Sequence, residues 1–179
     1  MTTIGYIVGS WAEGSVNQKL ARTLVAQAPE DTQMVDLDIR ELPLYGRHLD
    51  EDFPQVMQDF KDRASAVDGL LIVTPEHNQS FPAAVKNAVD ILTRPGGTSV
   101  LGGMPVTIAG TSPGRFGTIS SQSQLRQFLP MLGVRFMGSP NLAVGGAGDV
   151  FAEDGTADAQ TTERARKFIA AFVDFVRAG

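Results

Sequence analysis

Short apolar runs alternate along this chain with longer segments in which apolar residues recur at helical spacing. Ile4-Gly5-Tyr6-Ile7-Val8 predicts a buried strand, and Val16, Leu20, Leu24 and Val25 then fall on one helical face. Met34-Val35-Asp36-Leu37 predicts a second strand. Beyond a loop containing Pro43, a helix from about Pro54 turns Val56, Met57, Phe60 and Val67 inward. Leu70-Leu71-Ile72-Val73 is apolar on both faces, as a central parallel strand should be. The next helix starts near Pro82, a residue suited to a first helical turn, with Val85, Ala88, Val89 and Leu92 on its inner face. Residues 105–109 predict a fourth strand, followed by a helix carrying Ile119, Leu125, Phe128, Leu129 and Leu132. Residues 136–144 predict a fifth strand broken by Pro140. A last helix over about residues 159–178 buries Ala165, Phe168, Ile169, Phe172, Val173 and Val176.

Five strands alternating with five helices predict an α/β fold with a doubly wound sheet. Right-handed crossovers leave few topologies, and the flavodoxin-like one fits: a five-stranded parallel sheet in order 2-1-3-4-5, with helices on both faces in a three-layer sandwich. The 179 residues fit one domain, 1–179. Gly145-Gly146-Ala147-Gly148 is too short to divide it and reads as a flexible surface loop.

Composition narrows the chemistry. Hydrophobic residues make up 42% and charged residues 20%, a globular mixture. The net charge of −5, with no basic stretch, argues against a nucleic-acid partner. Without cysteine there is no disulfide, thiol nucleophile or cysteine-ligated metal, and two histidines do not complete a metal site. The first apolar run ends at Gly9, and no run approaches the ~20 residues that span a membrane. These features read as a cytoplasmic protein with no membrane partner.

In such sheets ligands bind beyond the carboxyl ends of the strands, where strand order reverses. Three unusual loops meet there. Gly9-Ser10-Trp11-Ala12-Glu13-Gly14-Ser15-Val16-Asn17 offers hydroxyl and amide donors beside a helix start, where free N–H groups and the helix dipole favour an anion. It matches neither GxGxxG nor the lysine-bearing P-loop; Ser15 as a plain N-cap is the alternative. Thr74-Pro75-Glu76-His77-Asn78-Gln79-Ser80-Phe81-Pro82 is stiffened by prolines and could present a fixed edge to a planar heterocycle, or simply form turns and a cap. Gly110-Thr111-Ser112-Pro113-Gly114-Arg115-Phe116-Gly117-Thr118 is small and hydroxylic apart from Arg115 and Phe116, allowing close backbone approach. Together they point to a phosphate-bearing planar ligand. No GxSxG elbow is present.

These same stretches carry a resemblance. GSWAEGSVN is similar to the GSLRxxSxN phosphate loop of the NADPH-dependent FMN reductase family of flavodoxin-like quinone, chromate and azo reductases. Leu42-Pro43-Leu44-Tyr45 resembles that family's LPLY loop, and TPEHNQSFPAAVKNAVDILTRP resembles its TPEYNxSxPGxLKNAIDWxSRP. GTSPGRFGTISSQSQLR resembles its third loop and the helix that follows. The resemblance implies non-covalent FMN, with phosphate contacts at Ser10, Ser15, Val16 and Asn17. It places ring contacts at Pro75, Glu76, His77 and Asn78, with Ser112 and Gly114 on the ring's other side. It implies hydride transfer from NADPH or NADH to the flavin and onward to a quinone-like, azo, metal-oxyanion or free-flavin acceptor. No catalytic side chain is required, because the cofactor supplies the reactive centre. It also implies a homodimer or homotetramer. A flavodoxin-type electron carrier and a cofactor-free binding protein are the alternatives.

The chain departs from that pattern in two places. Ala12 stands where the family has arginine, followed by the acid Glu13, and His77 stands where it has tyrosine. Loss of a charge-assisted phosphate bond weakens binding by about 1.5–3 kcal/mol, and Arg115 is the cation expected to compensate in part.

Overall fold

The computed structural model describes residues 1–179. Its strands are β1 (Thr2–Val8), β2 (Thr32–Asp36), β3 (Gly69–Val73), β4 (Pro105–Thr111), β5 (Arg135–Phe136) and β6 (Leu142–Val144). The helices are α1 (Val16–Ala26), α2 (Gln55–Ser65), α3 (Ala83–Leu92), α4 (Ile119–Phe128), α5 (Ala147–Val150) and α6 (Ala159–Arg177). The sheet is parallel in the order β2-β1-β3-β4-β5, with β6 also paired to β4. This is the expected flavodoxin-like order, with helices on both faces.

Alternation along the central strands sorts the core into two layers. Ile7, Leu70, Ile72, Val106 and Ile108 pack with Met57 and Phe60 of α2, Val85 and Val89 of α3, and Leu125 of α4. Ile4, Val8, Leu71, Val73 and Ala109 face the other way, onto Leu20 and Leu24 of α1 and Phe168 and Phe172 of α6. Every residue of β3 and β4 is buried, so these strands hold their carboxyl-end loops on a rigid base.

The structure corrects the sequence reading in three places. The single fifth strand is two short ones. Phe136 is opposite Val106 and Leu142 is opposite Ala109, while Pro140, which has no N–H to give to a ladder, lies between them. Val25, Val56 and Ile119 are exposed rather than inward. The sheet-facing stripes are set instead by Leu20, Ala21 and Leu24 in α1, and by Met57, Phe60 and Ala64 in α2, while Ile119 opens α4 at the rim. The 145–148 segment is no loose loop, because Ala147 is buried and begins α5. A Cβ on Gly145 would stand 2.0 Å from the Arg115 carbonyl oxygen, so only glycine lets the two backbones meet.

Candidate functional site

The loops after β1, β3 and β4 lie at adjacent strand ends, since these strands are neighbours in the sheet. The β4 loop is pinned from three sides. Asn17, buried at the start of α1, donates from Nδ2 to the Thr111 carbonyl (2.9 Å) and accepts from the Thr111 amide at Oδ1 (3.0 Å). The Ser112 amide donates to the Val144 carbonyl (3.1 Å), and the Ser112 hydroxyl donates to the Gly117 carbonyl (2.7 Å). Gly114 receives the amides of Gly117 and Gly146 on its carbonyl oxygen. Phe116, 73% exposed, and Ile119, 55% exposed, stand at the rim.

The β3 loop is clamped to α4. The Pro75 carbonyl accepts from the hydroxyls of Thr74 (2.9 Å) and Ser121 (3.0 Å). The Glu76 carboxylate accepts the Ser121 amide (3.1 Å), so it caps the first turn of α4, where the helix dipole favours an anion. Ser80 donates to Gln124 (2.7 Å), which donates back to the Gln79 carbonyl (2.7 Å). His77 and Ser80 exchange two backbone hydrogen bonds around Asn78 (φ 50°) and Gln79 (φ 65°), a tight turn with both central residues left-handed. Asparagine tolerates that region and glutamine does so less readily. The exposed His77 side chain is thereby set on a rigid arm beside Pro82.

The β1 loop differs. Ser15 caps α1, accepting the Gln18 amide (3.4 Å) and donating to the Ser10 hydroxyl (3.0 Å). Gln18 Nε2 donates to the Ser10 carbonyl (3.1 Å). Between Ser10 and Asn17, only the amide of Ser15 donates to a backbone carbonyl, that of Ala12. The N–H groups of Trp11, Ala12, Glu13, Gly14, Val16 and Asn17 have no protein acceptor. That is the donor set an anion needs at a helix start.

Two clefts flank this loop and share Trp11 and Ala12. One, of about 310 Å³, is lined by Gly9, Ser10, Trp11, Ala12, His77, Pro82 and Ala84. The other, of about 300 Å³, lies between α1 and the end of β2, and adds Gly14, Ser15, Gln18, Arg22, Asp36, Asp38 and Arg40. Arg40 holds Asp38 through paired hydrogen bonds, lowering the Asp38 pKa. Burial, and then the Asp38 charge, raise the pKa of Asp36.

The structure therefore brings Ser10, Ser15, Val16, Asn17, His77 and the β3 and β4 loops to one edge of the sheet. Asn17, Glu76 and Ser112 are already engaged in building that edge. Asp36 and Asp38, at the end of β2, both line the second cleft, a role that no local sequence pattern marks. It did not single out Ser121, whose amide and hydroxyl fix the β3 loop from across the site.

Comparison with known proteins bears on the family and the fold. Residues 2–149 match the model of the family NADPH-dependent FMN reductase. A 2-hydroxy-1,4-benzoquinone reductase from a Burkholderia species is 45% identical over 141 residues, covering 79% of this chain and 77% of that protein. A quinone reductase from Pseudomonas putida is 34% identical over 173 residues, covering 96% and 91%. The solved structure of FerB, a flavoenzyme NAD(P)H:(acceptor) oxidoreductase from Paracoccus denitrificans, superposes with a TM-score of 0.92 at 34% identity, covering 99% of this chain and 98% of that one. On the family match and these relatives together, the chain belongs to the NADPH-dependent FMN reductase family.

Proposed function

We propose that the protein binds FMN at this sheet edge and acts as an NAD(P)H-dependent reductase of quinone-like acceptors. The observation that carries the reading is that the N–H groups of Trp11, Ala12, Glu13, Gly14, Val16 and Asn17 have no protein acceptors, beside a cleft bounded by the clamped β3 loop. In this assignment the amides of Val16 and Asn17 and the hydroxyls of Ser10 and Ser15 take the phosphate. Pro75, Glu76, His77 and Asn78 hold one side of the ring system, and Ser112 and Gly114 bound the other. FMN, when bound, supplies the centre that accepts hydride from a nicotinamide and passes electrons to an acceptor.

The protein's own contribution is placement. Glu76 holds the β3 loop on α4, so the backbone edge from Pro75 to Asn78 is fixed before any ligand arrives. Asn17 couples the phosphate loop to the β4 loop through Thr111, so both move as one body. The exposed side chains of Trp11 and Phe116 offer apolar surface at the mouth to a flat acceptor.

The test is an absorbance titration of the protein with FMN, then addition of NADH or NADPH under nitrogen, then a quinone. Saturable binding with a shifted flavin band, bleaching by the donor and recovery with quinone are expected. Absence of FMN binding overturns the reading. Binding without bleaching leaves an electron carrier in its place.

A further inference from the structure

The cleft between α1 and the end of β2 shares Trp11, Ala12, Gly14 and Ser15 with the proposed phosphate loop, but its wall of Gln18, Arg22, Asp36, Asp38 and Arg40 has no part in the flavin reading, and it joins the flavin cleft through Trp11 and Ala12. Its charges are unevenly matched. Asp38 is neutralised by Arg40, with Nη2 to Oδ2 at 2.6 Å. The carboxylate of Asp36 makes no ion pair: Arg63 donates to the Asp36 backbone carbonyl, and Arg63 and Arg40 act on the carboxylate only at longer range. Arg22, on the opposite wall, turns its Nη2 toward Gly155 rather than toward Asp36. Asp36 is exposed on the cleft wall, so its carboxylate is open to a hydroxyl donor, and partial desolvation and then the Asp38 charge raise its pKa against the opposing charges of Arg63 and Arg40.

A carboxylate at the carboxyl end of the second parallel strand, facing a strand-to-helix loop, can accept hydrogen bonds from the vicinal hydroxyls of a ribose. A phosphate ester on the same ribose would set a dianion beside a carboxylate that no ion pair holds, which is unfavourable. The half-exposed indole of Trp11 at the junction of the clefts offers a flat face to a purine. We propose that this cleft takes the adenosine half of the nicotinamide donor, with Asp36 reading the ribose hydroxyls, so that this chain prefers NADH to NADPH. The proposal rests on the flavin reading for the donor's role, but the cleft's affinity for an adenosine phosphate can be measured apart from turnover.

The experiment is calorimetric titration of the FMN-saturated protein with ADP and with 2′,5′-ADP, alongside steady-state rates with NADH, NADPH and reduced nicotinamide mononucleotide, which lacks the adenosine half. ADP is expected to bind about tenfold more tightly than 2′,5′-ADP, and kcat/KM to favour NADH over NADPH to a similar degree. Asp36→Asn should shrink both gaps several-fold and leave the mononucleotide rate unchanged. Failure of ADP to bind, equal or tighter binding of 2′,5′-ADP, or unchanged gaps in Asp36→Asn each overturn the proposal. If ADP binds with the expected preference but no donor reduces the flavin, the adenosine site stands and the reductase reading falls.

Discussion

The polar groups of the β3 loop and the β1 loop are arranged in opposite ways. In the β3 loop, Thr74, Glu76, Gln79 and Ser80 are joined by side-chain or backbone hydrogen bonds to α4, and the His77–Ser80 turn closes on itself. In the β1 loop, Trp11, Ala12 and Glu13 are exposed and their amides have no protein acceptor. The first arrangement makes a platform whose shape precedes the ligand. The second leaves donors that only a ligand or water can satisfy. On the proposed flavin reading such a site divides its labour: the fold positions the ring edge, while backbone dipoles rather than a charged side chain would hold the phosphate end.

The largest expected effect tests the platform. A Cβ on Gly110 would stand 2.2 Å from the Thr74 carbonyl oxygen and 2.3 Å from the Thr118 hydroxyl. The first neighbour is backbone and cannot rotate away, so Gly110→Ala should cost about 3 kcal/mol of stability by overpacking. Urea unfolding of the FMN-free protein measures this, and a loss below about 1 kcal/mol would show that the β3 loop is softer than described.

The next tests the phosphate end. Ala12 lines both clefts beside the unengaged amides. Ala12→Arg should tighten FMN by about 1.5–3 kcal/mol, the worth of a charge-assisted hydrogen bond. Riboflavin, which has no phosphate, should bind as before. Arg115→Ala should loosen FMN by less than Ala12→Arg tightens it, if the β4-loop arginine serves as a partial substitute. Unchanged affinity in Arg115→Ala would leave the backbone donors as the whole phosphate grip.

A smaller effect separates capping from ligand contact. Glu76→Ala removes the carboxylate that accepts the Ser121 amide at the start of α4. Loss of such a cap costs about 1 kcal/mol, and it should appear as a lower urea midpoint with no FMN present. An unchanged midpoint would mean that the Glu76 carboxylate contributes nothing to the platform by itself.

Legibility from sequence followed the range of the interactions. The fully buried β3 and the inner face of α3 were readable because burial on both faces, and helical period, are local patterns. The break at Pro140 was also readable, but not that each half would pair separately with β4, since that depends on where α4 returns the chain. The three loops could be placed at one edge because strand order follows from crossover handedness. Their internal wiring could not be. Asn17 binds Thr111 from 94 residues away, and Glu76 binds Ser121 from 45 residues away. Both residues read as cofactor contacts from the sequence, and the fold adds that their side chains also hold the frame. Asp36 and Asp38 were hidden for the same reason, as a strand-end charge becomes a cleft wall only through its neighbour α1.

The smallest prediction concerns Glu13, the acid that follows Ala12 in the phosphate loop. Its side chain is exposed, so its repulsion of a bound phosphate is screened by water and salt. Glu13→Gln should therefore tighten FMN by only about 0.2–1 kcal/mol at low salt, with the gain fading as ionic strength rises. The amide of residue 13 remains available in the variant, so any change isolates the side-chain charge from the backbone donors. A gain as large as that of Ala12→Arg, or one insensitive to salt, would place the Glu13 carboxylate against the phosphate and show that the β1 loop closes inward when FMN binds.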